Sequence, residues 1–322
     1  MKEGNILLLS AGRRAELLRG IETAAARHFK KALVVCADIN PQMSPACQLA
    51  QRSFSLPHVH SDEYEESLFE LCEKLEIGLI IPTIDTELLK LAKLRERAMK
   101  RDVAVIISNE TLIQQCRDKR LTANLFASLG IEAPVVYDLE NIVFPCFTKP
   151  ASGSSGIGAF RLESPDQLTS ALGEDKDRMF MELVPDGLRE ITIDLYYDRN
   201  SVLQAAVPRE RLEIRSGEVS KGITRRDWVY DYLVERMSFL EGAIGCLTLQ
   251  LFADDSTQQV HAIEINPRFG GGFPLALAAG ADFPDWLIRE YFLGEEITFF
   301  DGWERDLLML RYDAKVLVHR DG

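Results

Sequence analysis

Cysteine pairs, long apolar runs and positive charge are all scarce in this sequence, and each shortage removes a class of protein. The six cysteines (Cys36, Cys47, Cys72, Cys116, Cys146 and Cys246) lie far apart with no C-x-x-C pair. That argues against a zinc ribbon or a disulfide framework and points to a reducing, cytoplasmic setting. No stretch approaches the eighteen or so apolar residues of a membrane span. The opening MKEGNILLLSAGRR has an apolar run too short for a secretory core, with charges on both sides. Lys and Arg number 37 against 50 Asp and Glu, a net charge of −13 and a pI near 5.0. Such a chain is not expected to bind nucleic acid or an anionic membrane. A site for an anionic substrate would need its own local cations or a metal. No Ser-His-Asp or Cys-His arrangement suggests a protein nucleophile, and there is no internal repeat or low-complexity tract.

What is present reads as an ordinary soluble globular composition, 46% hydrophobic and 27% charged over 322 residues, enough for two or three modest domains. The first hundred residues alternate apolar strand runs with helical periodicity. NILLL (5–9), ALVVCAD (32–38), LIIPT (79–83) and VAVII (103–107) read as buried strands. Helices are expected after Gly12, over 61–75 with Ser61 as cap, and over 85–99. This is the pattern of a parallel sheet covered on both faces, whose ligands gather at the carboxyl ends of the strands. Those ends carry Gly12-Arg13-Arg14, Asp38-Ile39-Asn40 and Thr83-Ile84-Asp85.

Beyond residue 109 the character changes. One or two helices over 110–130 precede the strand-like runs FPCFTK, IGAFRLE, MFMELV, ITIDLYY and VLQAAV, whose short connections imply antiparallel pairing. A helix near 228–242, a hairpin formed by CLTLQLF (246–252) and QQVHAIEINP (258–267), a last helix over roughly 273–293 and a short C-terminal strand complete the chain.

Residues 147–160, FTKPASGSSGIGAF, hold the ingredients of a phosphate loop in an unfamiliar order. Lys149 precedes Gly153 by four residues, whereas a Walker lysine follows its last glycine. Gly153, Gly156 and Gly158 give G-x-x-G-x-G, not the dinucleotide order. A strand would deliver Lys149 to a fixed point, and the small residues after it could close over a polyphosphate through backbone N–H groups. A loose serine-glycine turn is the competing reading.

In HAIEINPRFGGG, Glu264 and Asn266 stand two apart and leave one face of a strand. Gln250 joins them if the hairpin register brings it opposite. One carboxylate with amide oxygens suits magnesium, and Arg268 would then sit beside a phosphate or a substrate carboxylate. A strand end with solvated polar groups is the alternative. Glu182, Glu190 and Asp194 in FMELVPDGLREITID would by themselves be surface strand charges.

Taken together and in this order, these segments resemble the ATP-grasp superfamily, most closely its carbamoyl-phosphate-synthase-large-subunit-like branch. The likeness runs over nearly the whole chain: a Rossmann-like pre-ATP-grasp domain, DKRLTANLFASLGIEAP, the strand–lysine–flap segment, a hinge and IEINPRFGG. It implies a fold of class α/β and α+β, with a pre-ATP-grasp domain over 1–109, a small lobe carrying the flap over 110–180, and a large lobe over 181–322. By the same resemblance Lys119 and Lys149 would hold ATP phosphates. Ser152, Gly153, Ser154, Ser155, Gly156, Ile157 and Gly158 would form the flap. Glu182, Leu183 and Val184 would contact adenine and Glu190 the ribose. Gln250, Glu264 and Asn266 match the metal positions, for magnesium with manganese as a substitute, and Arg268 the active-site arginine.

The chemistry implied is attack of a carboxylate on ATP to give an acylphosphate, captured by an amine, with ADP and phosphate released. A carbamoyl phosphate synthase large subunit has two such halves and this sequence shows one, so a stand-alone carboxylate–amine ligase is expected. A non-catalytic ATP-binding module and a phosphotransferase or carbamoyl-phosphate-synthase-like activity are the alternatives. Arg209, Arg211 and Arg215, in a basic segment, are candidates for a substrate anion or else a solvated strand edge. Arg13, Asp85 and Glu87 could face the cleft, although a helix N-terminus attracts acidic residues for its own reasons. Small-molecule partners are expected, and a homodimer is the common case for soluble enzymes.

Overall fold

The computed structural model describes residues 4–153, 157–215 and 217–319. The first unit runs β1 (Ile6–Leu9), α1 (Ala15–His28), β2 (Val34–Asp38), α2 (Pro45–Leu49), β3 (Arg52–Ser55), α3 (Tyr64–Lys74), β4 (Leu79–Ile81), α4 (Asp85–Met99) and β5 (Ala104–Val105). Its five strands are parallel in the order β3-β2-β1-β4-β5. Ile6, Leu8, Leu7 and Leu9 are all buried, the even pair in one hydrophobic cluster and the odd pair in another, as helices on both faces require. The strand order reverses beside β1, so the crevice of this sheet opens between the ends of β1 and β4. Thr83 closes its floor, its hydroxyl within reach of the Leu9 and Ser10 carbonyls at 3.0 and 2.7 Å.

Two helices follow, α5 (Glu110–Arg117) and α6 (Lys119–Ser128), capped by Asn109 and Asp118. A four-stranded sheet comes next, from β6 (Val136–Tyr137), β7 (Cys146–Pro150), β8 (Phe160–Leu162) and β9 (Arg178–Glu182), with α7 (Ser170–Glu174) between the last two. Its order is β6-β9-β7-β8 and every pair is antiparallel.

The largest sheet has six strands: β10 (Arg189–Tyr197), β11 (Leu203–Arg215), β12 (Glu218–Thr224), β13 (Gly245–Asp254), β14 (Gln259–Asn266) and β15 (Leu308–Leu310). Helices α8 (Trp228–Arg236), α9 (Phe273–Ala278) and α10 (Phe283–Tyr291) accompany it. The order is β14-β13-β10-β11-β12-β15, antiparallel throughout. Ile191, Ile193, Leu195, Leu249, Leu251 and Ile265 fill one face and belong to the main core. The opposite face holds Thr192, Asp194, Arg209, Thr248 and Gln250, and so is polar along three strands.

Several expectations need adjustment. Ser61 turns the chain before α3, accepting from the Glu63 N–H at 3.3 Å, and the helix starts later, at Tyr64. The helix expected to 242 ends at Arg236, because residues 238–240 bond to 201–203 instead. The helix expected over 273–293 breaks at Gly280, whose φ is +99°, and restarts where Asp282 caps the Asp285 N–H. The strands β3 and β12 carry too little apolar pattern to be seen in advance. Among the described residues no helix is long and apolar enough to cross a membrane.

Candidate active site

The hairpin register settles what the hydrophobic alternation of β14 only suggests. Gln250 lies directly opposite Glu264, and Thr248 opposite Asn266, so Gln250, Glu264 and Asn266 share the polar face. Asn266 donates to Glu264 Oε1 at 3.0 Å. The Gln250 amide donates to Glu190 Oε1, which also receives Arg211 Nη1 at 2.5 Å. Among the described residues no three His, Cys, Asp or Glu side chains gather as a metal group. A cation here would therefore rest on one carboxylate and two amide oxygens, a hard-oxygen set that leaves room for phosphate and water.

Lys149 reaches this face from the other sheet. It sits at the penultimate position of β7, is buried, and has both Lys119 and Glu264 within electrostatic reach. Burial drives its pKa down to about 8, with Lys119 acting in the same sense and Glu264 opposing. Lys119 opens α6 and donates to the Gly153 carbonyl at 2.8 Å, while its own N–H bonds to Ala151 O. The two lysines line a small cavity whose walls are apolar, among them Val136, Met179, Met181 and Ile263. Its volume is about 10 Å³, so these side chains would have to part before a flat base could stand between them.

The loop after β7 is anchored at its base. Ser152 donates to Asp177 at 2.8 Å through its hydroxyl, and Ala151 N–H bonds to Asp177 O. Gly158 has a φ of +74° and its carbonyl accepts from Arg178 at 3.0 Å. Ile157 is exposed. Ser154, Ser155 and Gly156 lie outside the described residues. Next in the chain to Met181 of the cavity wall, Glu182 ends β9 and receives the Val135 N–H at 3.2 Å, and Leu183 and Val184 follow it half-buried.

Arg268 extends the site toward the first unit. Its guanidinium donates to Asp85 Oδ2 at 2.6 Å and lies 3.4 Å from Asn266 Oδ1. Asp85 starts α4 at the end of β4, so the crevice of the parallel sheet and the polar face of the large sheet meet here. Three consecutive glycines make the approach possible. A Cβ on Gly270 would sit 2.9 Å from the Thr248 hydroxyl, one on Gly271 2.8 Å from Arg14, and one on Gly272 2.1 Å from Arg209.

Other sequence candidates fall elsewhere. Glu87 is fully buried and acts as a helix cap, taking the Thr83 N–H at 3.0 Å, the Ile84 N–H at 3.4 Å and the Ser10 hydroxyl at 2.7 Å. Burial raises its pKa to about 7 against those hydrogen bonds. Arg209 is buried in a two-pronged pair with Asp194 at 2.6 and 3.0 Å, beneath the glycine loop. Arg211 is held by Glu190, and Arg215 is exposed beside Asp313. Arg13 is exposed, though within electrostatic reach of Glu218, while its neighbour Arg14 turns inward, 3.5 Å from the same carboxylate. Arg14, Glu218 and Arg311 were not singled out from the sequence. Only the start of α1 decides which of two adjacent arginines faces the crevice.

Two family models match the chain: the PylC-like N-terminal domain over residues 6–106 and, over 174–307, an ATP-grasp domain described from a biosynthetic pathway with the Ter operon. The chain is an ATP-grasp protein. Its parallel sheet is the PylC-like part, and its antiparallel sheets are those of the ATP-grasp fold. No curated protein matches it in sequence.

Among solved structures, the ATP-grasp chain is similar in fold to Rhizobium etli pyruvate carboxylase (TM-score 0.64, 15% identity, 86% of this chain and 27% of that one). The biotin carboxylase domain of Hydrogenobacter thermophilus 2-oxoglutarate carboxylase, solved with magnesium ADP and bicarbonate, gives a TM-score of 0.72 at 15% identity over 95% of this chain and 73% of that one. Bacillus licheniformis L-amino acid ligase gives 0.65 at 16% identity over 90% and 74%. The ATP-grasp chain thus spans about a quarter of the pyruvate carboxylase but most of the other two.

Proposed function

We propose that this protein is an ATP- and magnesium-dependent ligase that joins a small carboxylate to an amine through an acylphosphate. The observation that carries the reading is the approach of Lys149, on one sheet, to Glu264, on another, at the mouth of an apolar slot. A buried lysine with no hydrogen-bond partner for its ammonium among the described residues, facing a carboxylate–amide set, is the arrangement a nucleoside triphosphate would complete.

In this reading the adenine enters the slot against Val136, Met179 and Met181, beside the Glu182–Val184 backbone, and Glu190 meets the ribose. Lys119 and Lys149 take the phosphates, and the 152–158 segment of the small lobe closes over them to exclude water. Glu264, Asn266 and Gln250 would hold magnesium, which neutralises phosphate charge when bound. Arg268 stands where the transferred phosphoryl group and the substrate carboxylate meet, and offers planar paired donors to either. Asp85 fixes that guanidinium, and no side chain is required as nucleophile. The likeness to a biotin carboxylase domain that holds magnesium ADP, and to an amino acid ligase, supports nucleotide use and ligation in turn.

Hydroxylamine trapping tests the intermediate. Pooled carboxylic acids with ATP and magnesium should yield a hydroxamate in step with ADP release. ADP release with no hydroxamate from any pool would refute the acylphosphate route.

A further inference from the structure

Three guanidiniums converge where the first unit meets the large sheet, and the ATP-site reading uses only one of them. Arg14, at the start of α1, lies within electrostatic reach of both Arg268 and Arg311. Arg311, just past β15, donates to Glu218 Oε2 at 3.2 Å and to the Gly271 carbonyl at 3.0 Å. Glu218 turns its other oxygen to Arg14 at 3.5 Å. Asp85 is taken by Arg268, and Glu16 reaches Arg311 only at 3.8 Å from an exposed position.

Arg14 is the unusual member. Its side chain is four-fifths covered, with a relative exposure of 20%, yet its only close partner among the described residues is that 3.5 Å ion pair. A planar group with five donors is left short of acceptors in a partly dry place. Burial pulls its pKa below the ordinary arginine value; Glu218 and Asp85 oppose this, while Arg268 and Arg311 add to it. Like charges held together by a rigid frame are stabilised by an anion between them. The frame is built for close approach: a side chain at Gly271 would collide with both Arg14 and Glu218. α1, with no side chain capping its start, adds its dipole in the same sense.

We infer that Arg14 and Arg311, beside Arg268, form a binding site for an oxyanion carried by the substrate, a carboxylate or a phosphate distinct from the phosphates of ATP. The inference rests on the ligase reading for the word substrate, but the anion site stands on its own geometry. It places the anionic end of one substrate in the crevice beyond β1, and the reacting end toward Arg268 and the metal face.

The test uses the full chain saturated with magnesium and a non-hydrolysable ATP analogue, so that the γ-phosphate position is filled. Inorganic phosphate and, separately, succinate are titrated by calorimetry. At least one should bind, and Arg14→Met and Arg311→Met should each weaken it tenfold or more, while Arg14→Lys weakens it less. Arg215→Met, at the exposed end of β11, should leave it unchanged. Binding of phosphate alone marks a phosphorylated substrate, and of succinate alone a carboxylic acid. Equal binding by wild type and both methionine variants, or no binding of either probe to the wild type, overturns the inference. Failure of the analogue to bind sinks the ATP reading instead. The titrations without it then still decide the anion site by their dependence on Arg14.

Discussion

Arg268 donates from both Nε and Nη2 to a single Asp85 oxygen, at 3.1 and 2.6 Å, although 183 residues separate the two. The contact joins the crevice of the parallel sheet to the polar face of the large one. Asp85→Asn preserves shape but removes the charge that fixes the guanidinium. It should lower kcat about ten- to a hundredfold, the scale of a misplaced catalytic group. KM for ATP should stay within about twofold. Steady-state ADP release measures both, and an unchanged kcat would show that Asp85 does not position Arg268.

Lys149 links stability to nucleotide binding in opposite directions. Its folded pKa of about 8 lies below the unfolded lysine value, so the unfolded chain holds more protons between those limits. The cost of burying the cation is therefore fully present below pH 8 and fades as pH rises toward the unfolded value. Lys149→Met should raise stability at pH 7 by about 3 kcal/mol, an upper figure from the size of the shift. ATP binding should weaken at least a hundredfold, about 3 kcal/mol by affinity arithmetic. Urea midpoints and nucleotide calorimetry check the two halves. A variant that is less stable and still binds ATP would contradict both.

Glu87 gives a pH signature that does not involve substrate. Its folded pKa of about 7 stands above the unfolded glutamate value, so the folded state binds the extra proton. Its contribution is most favourable below the unfolded value and is lost as pH rises through 7. Glu87→Gln should flatten the melting temperature across that window and leave turnover at pH 8 within a few-fold. Loss of amine saturation in this variant would restore Glu87 as a substrate residue.

The buried pair of Arg209 and Asp194 should behave as a unit. Arg209→Met alone strands a carboxylate with 0% exposure and should cost about 3–5 kcal/mol. Adding Asp194→Leu should recover most of that loss. Thermal or chemical denaturation of the three variants measures it, and additive losses in the double variant would show that the pair is not coupled.

The fold was legible because each sheet leaves a periodic trace. The apolar runs of β1, β2 and β4 announce a parallel sheet, and the alternation in β14 puts Glu264 and Asn266 on one face before any coordinates are known. Lys149 and Lys119 stand out by their setting in longer segments, not by spacing alone. What stayed hidden depends on contacts between distant segments. Arg13 and Arg14 look alike in sequence, and only the angle at which α1 leaves β1 turns Arg14 inward. Arg209 reads as an anion ligand or a solvated strand edge until register places it opposite Thr192 and beside Asp194. The glycines at 270–272 give no sign in the sequence of what they accommodate, whereas in the fold each one makes room for a particular side chain.

In the proposed reaction the carboxylate–amide face of β13 and β14 works with Lys149 on ATP and magnesium. Magnesium-dependent ADP release, measured with mixed carboxylates and amines for the wild type and for Glu264→Ala, tests it most directly. Substrate-stimulated release is expected from the wild type, and background release from a Glu264→Ala variant that keeps the wild-type melting profile. Wild-type turnover in Glu264→Ala would contradict it.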